Sequence, residues 1–119
     1  MVEQVATYGT RKTIMIGNDS YYLALPARVT GTANATIKAG QPLYGNIQKR
    51  DTAFTLSGAS GATPSVMNLH DVKLDAQGNG NATVVIRGCV DLLKLDSAVA
   101  TALKAATPEG IVLVEGSAI

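Results

Sequence analysis

The sequence predicts a mainly β fold of the β-rich α+β kind: a small β barrel or sandwich with one short helix near residues 96–107. Three observations predict it. Short runs rich in Val, Ile, Thr and Tyr alternate with turn clusters of Gly, Asn, Asp and Pro. Only one stretch, from Asp96 to Thr107, repeats its apolar residues at helical spacing. The chain of 119 residues is 46% hydrophobic, which suits one domain with a core of its own.

The elements follow in order. Residues 1–16 read as an N-terminal arm or edge strand, with a short β-like run from Lys12 to Ile16. Residues 17–119 read as a single β-rich domain. Gly17 to Ser20 is a turn cluster. Tyr21 to Leu25 is a strand that Pro26 either ends or marks as an edge, and Ala27 to Val29 is a second strand-like piece. Ile37 to Gly45 is a turn leading into a short strand, and Ala53 to Leu56 is another. Ser57 to Pro64 is a loop of small residues. Val66 to Leu74 has the β propensity for one longer strand, with Val72 and Leu74 alternating with Asp71, Lys73 and Asp75. Asp75 to Asn81 makes a hairpin loop, and Ala82 to Arg87 returns as the partner strand. Gly88 permits a bend or bulge before Cys89 to Leu93. Asp96 is a good N-cap for a helix that buries Val99, Leu103 and Ala106, and Pro108 stops it. Ile111 to Val114 is the last strand.

Charged residues make up only 16%, against a usual ~25%. A neutral surface suits a protein covered by partners, and it suits an ordinary Ala/Gly-rich domain as well. The net charge is +1, and Arg11-Lys12 and Lys49-Arg50 are isolated basic pairs. The electrostatic footprint of a nucleic-acid binder is missing. No signal-peptide pattern and no apolar run near ~20 residues occurs, so a soluble protein made in the cytoplasm, with no membrane partner, is expected.

Candidate chemistry is sparse, and no cofactor or metal is expected. His70 is the only histidine. Its neighbour Asp71 falls on the opposite face of a strand, poorly placed for a His/Asp relay. Ser60 lies in Gly58-Ala59-Ser60-Gly61-Ala62, which misses the nucleophile-elbow pattern at its last position. Cys89 is the one cysteine and reads as a small buried hydrophobe. Asp75 to Asn81 superficially suggests a calcium loop. Ile86 stands at the twelfth position from Asp75, where a calcium hand needs a bidentate Glu. Tyr8, Tyr21, Tyr22 and Tyr44 supply most of the aromatic content, suited equally to an interface and to a ring buried with its hydroxyl wet.

The order of features carries a resemblance. Ala39-Gly40-Gln41-Pro42-Leu43 leads into the β domain. Val66 to Lys73 precedes a hairpin, and Asn81 to Val90 (NATVVIRGCV) is the return strand. A short helix and Ile111 to Val114 follow. From Ala35 to Ile119 this resembles the head decoration (capsid cement) proteins of phage lambda and its relatives, and it is also similar to the base of phage head-fibre proteins. The sequence departs from that pattern in its strand-forming N-terminal part, in Val66 to Leu69, and in having no Trp.

The resemblance implies a non-enzymatic virion protein on the outer surface of an expanded capsid. It implies a homotrimer at three-fold sites that holds the shell against internal DNA pressure, with the major capsid protein as partner. It also implies that an N-terminal segment adds to a capsid sheet edge, with Val2, Val5, Tyr8 and Ile14 as contact candidates. The alternatives are a head-fibre base or other virion β module, a small soluble binding domain, and a hydrolase resting on Ser60, His70 or Cys89. No fibre repeat or heptad follows the last strand, which counts against the first. Few aromatics, 4%, count against a carbohydrate-binding surface.

Overall fold

The computed structural model describes residues 14–16, 22–49, 52–58 and 61–115. Among the described residues the fold is mainly β with one α-helix. The strands are β1 (Leu23–Thr30), β2 (Thr36–Ile37), β3 (Pro42–Leu43), β4 (Val66–Asn68), β5 (Val72–Lys73), β6 (Asn79–Asp91) and β7 (Ile111–Val114). A 3₁₀ turn (Leu92–Lys94) and helix α1 (Ser97–Ala105) lie between β6 and β7.

Strand β6 organises the molecule. It pairs antiparallel with β1 and β4, and β3 continues the sheet beyond β4. Its last four residues pair in parallel with β7. Strands β2 and β5 form a separate two-stranded sheet. Pro26 lies inside β1 rather than at its end. An edge position tolerates it, because a missing N–H there removes no ladder bond.

The central sheet has a core on each face. Val29, Leu43, Val66 and Val84 pack with Phe54, and with Ile37 and Leu74 from around the small sheet. On the other face, Met67, Val85 and Val90 pack with Leu92, Leu103, Ile111, Ile14 and Met15. Alternation along β6 sends Ala82 and Val84 to the first core and Val85 to the second. Val90, an even position like Val84, nevertheless reaches the second. The pairing shows why: Arg87 faces Leu23 and Val85 faces Ala24, so Ile86 is an extra residue. The bulge reverses which side the following residues face. Gly88 then takes φ 155, where an added Cβ would lie 2.6 Å from Met15 Cε and 2.7 Å from Tyr22 Cβ.

Three expectations are corrected. Among the described residues the sheets do not close into a barrel. Phe54 and Thr55 reach Val29 and Tyr44 through one bridge each, but β3 has only two residues, one of them a proline, and cannot carry a ladder to closure. Val66 to Leu74 is two strands, not one. Buried Asn68 donates from Nδ2 to the carbonyls of His70 (2.6 Å), Lys38 (3.0 Å) and Ile37 (3.2 Å), diverting the chain toward β2. The turn from Asp75 to Asn79 forms, yet it joins strands of different sheets: β5 pairs with β2, and β6 with β1.

The expected helix forms over Ser97–Ala105, with Val99 and Leu103 buried. Asp96 occupies the N-cap position, but its side chain makes no cap bond and pairs with Lys38 at 3.3 Å instead. Gly40, at φ 93, lies against this region: a Cβ there would meet Leu95 Cδ2 at 2.6 Å and Val99 Cγ1 at 3.1 Å.

Candidate interaction surface

Of the residues singled out in the sequence, Val2, Val5, Tyr8, Tyr21 and Ser60 lie outside the described residues. Ile14 is only 7% exposed and belongs to the core beneath α1. Its carbonyl accepts from Asp91 N–H at 2.8 Å, and Ile16 N–H donates to Cys89 O at 2.8 Å. The Ile14–Ile16 segment is thus stitched to β6, inside the boundary that the sequence drew for an arm.

His70 and Asp71 are both exposed. Asp71 Oδ1 accepts from Ala39 N–H at 2.8 Å, which fixes the approach to Gly40. Asp75 Oδ1 accepts from the N–H groups of Gln77 and Asn79, each at 2.9 Å, so its carboxylate shapes the turn. Cys89 is half-buried, on the side of β6 opposite Val90. Tyr22 and Tyr44 are half-buried. No group of three or more metal-ligating side chains occurs among the described residues.

Among the described residues, open grooves indent the surface, two of them formed by well-separated parts of the chain. One, of ≈ 440 Å³, has Ile14, Leu69 and Leu95 in its wall and the Lys38–Asp96 pair, His70 and Lys94 beside them. The pair is about half exposed and solvated, so its charges are largely compensated by water. The other, of ≈ 590 Å³, runs past Ile86, Arg87, Pro64 and Glu109. Each draws on residues distant in sequence, so neither is visible in motifs.

The most distinctive surface is β7. Gly88 N–H donates to Gly110 O at 3.1 Å, so the backbone groups of Gly110, Val112 and Val114 face β6. Those of Ile111 and Leu113 face away. Ile111 N–H turns back to Pro108 O at 3.1 Å. Ile111 C=O and both backbone groups of Leu113 therefore line an edge that no strand covers among the described residues. The strand reads Ile-Val-Leu-Val, with neither proline nor charge to blunt it, and Val112 is 58% exposed. Parallel ladders are normally covered on both faces. The sequence run identified the strand, but a buried and an open edge have the same apolar signature.

No protein-family model, no curated protein and no solved structure matches this chain.

Proposed function

We propose that this chain is a non-enzymatic structural subunit of a tailed-phage virion. In this reading it binds the outer surface of the expanded capsid as a homotrimer at three-fold sites and stabilises the shell against packaged DNA. The observation that carries the reading is the order of elements around β6. Gly40 at positive φ leads into β3 and packs against the start of the helix region. The bulged return strand, one helix and a terminal parallel strand follow. That order is the one on which the resemblance to lambda-like decoration proteins rests.

The mechanics need no strong single contact. A trimer touches several capsid subunits at once, so modest interfaces multiply through effective concentration. Cyclic symmetry of the cap matches the symmetry of the site. Val2, Val5 and Tyr8 stay as contact candidates, whereas the Ile14 side chain serves the domain's own core.

Co-sedimentation of the purified chain with empty shells of its phage, before and after expansion, tests the proposal. Saturable binding to expanded shells alone, at a stoichiometry matching three-fold sites, is expected. No binding to either form overturns it, and a fibre-base, tail or unrelated β module then leads.

A further inference from the structure

We infer that the open edge of β7 is a strand-addition site for the N-terminal segment of a second copy, with Val5–Tyr8 as the added strand. The inference rests on the homotrimer of the proposed function, names the contact that builds it, and assigns Val5 and Tyr8 to the neighbouring copy in place of a capsid sheet edge.

The acceptor is defined by backbone geometry. Ile111 C=O and Leu113 N–H and C=O point away from β6. An extended segment laid along them satisfies these groups as in any strand addition. The donor follows from charge and reach. The acidic Glu109 and Glu115 flank β7, both exposed. Residues 1–13 contain a β-prone Val5-Ala6-Thr7-Tyr8 with Glu3 before it and Arg11-Lys12 after it, so laid antiparallel to β7 they meet the Glu109 end with the basic pair and leave Glu3 at the Glu115 end. Pairing two β7 strands antiparallel about a two-fold axis instead sets the Glu115 end of one strand near the Glu109 end of the other, which like charges disfavour.

The direction of the chain selects a neighbouring copy. Met15 and Leu113 both pair with Val90, so they lie on opposite edges of β6. The segment before Ile14 leaves beside Asp91, where β6 itself continues into Leu92–Lys94. Its own β7 lies on the far edge of β6 from Ile14–Ile16. Six residue steps lead from Tyr8 to Ile14, a reach of roughly 20 Å when extended, enough to pass to an adjacent subunit. Such head-to-tail pairing closes into a ring at a rotation of a third of a turn.

The test compares the full chain with a deletion of Val2 to Thr10, which keeps Ile14–Ile16. A full-length Val5→Pro/Thr7→Pro variant removes strand pairing without shortening the chain. Hydrogen exchange at the Leu113 amide and mass by sedimentation equilibrium are read for each. Expected are a trimer with Leu113 protected in the full chain, and at least tenfold faster exchange with loss of the trimer in both variants. Unchanged Leu113 exchange overturns the inference, as does a monomeric full chain whose Leu113 protection falls on deletion. Shell co-sedimentation of the full chain separates the two ideas. Binding at three-fold stoichiometry with unchanged Leu113 exchange sinks the β7 contact alone. Trimers held through β7 that ignore shells sink the decoration reading alone.

Discussion

Met15 bridges Val90 in antiparallel register, and both side chains lie in the core beneath helix α1. The pairing sets the boundary between arm and domain. Deleting residues through Thr10 keeps Ile14 and Met15 and is expected to leave the urea midpoint unchanged at concentrations where the chain is monomeric. Deleting through Ile16 removes two buried side chains, each worth about 2–5 kcal/mol by the measure of large-to-small core substitutions. The truncated domain is then expected to be largely unfolded at 25 °C, as circular dichroism reads directly.

Gly88 carries the reversal of β6. Gly88→Ala places a methyl in the left-handed region of φ and against Met15 and Tyr22. A cost of about 2–4 kcal/mol is expected from strain plus overpacking. Equilibrium urea denaturation checks it. Because Met15 Cε is the far end of a flexible side chain, Met15→Ala in the Gly88→Ala background is expected to be less costly than the sum of the two changes.

Much of this architecture was legible in the sequence, and the losses have physical causes. The helix around Val99 and Leu103 and the last strand announced themselves through periodicity and through Pro108. Gly88 was marked as a bend because glycine punctuates a strand only for a reason. The split at Asn68 was not legible. A strand residue turns inward to hold three carbonyls, and two of them come from about thirty positions away. The open edge of β7 was hidden for the opposite reason: local pattern reports that a strand is apolar, not which neighbour covers its backbone. Ile14 read as a candidate anchor because a short apolar run, Ile14-Met15-Ile16, gives no hint of whether its own domain or a partner receives it.

Asn68 ties both sheets together at that split. Asn68→Ala removes the donor that the Ile37, Lys38 and His70 carbonyls share, leaving Lys38 O with its bond from Gln41 N–H, and a loss of about 2–4 kcal/mol is expected. Asn68→Asp is expected to be at least as damaging, since it replaces the donor with a buried carboxylate facing carbonyl oxygens. Thermal melts of the two variants beside the unaltered chain decide this. An unchanged melting temperature for Asn68→Ala removes the claim that this side chain fixes the turn.

Lys38 and Asp96 link the β2 end to the helix start, yet both side chains are about half exposed. Asp96→Ala is expected to cost less than about 1 kcal/mol, most of it already lost in high salt. The side chain gives the helix no cap bond, so the usual penalty for removing an N-cap acceptor does not apply. A larger loss that persists in high salt contradicts this assignment and restores Asp96 as a cap.

Val112 separates stability from assembly. Its side chain is 58% exposed, and its backbone already bonds toward β6. Val112→Lys is therefore expected to change the unfolding free energy by no more than about 1 kcal/mol, the span of β propensity. A lysine on a sheet edge is also a device by which proteins refuse further strands. If β7 receives the segment of another copy, the folded variant is expected to sediment as a monomer and to lose saturable shell binding through lost avidity. Equal stability with an unchanged trimer and unchanged shell binding shows that this edge faces water in the assembly, and the subunit contact then comes from another surface.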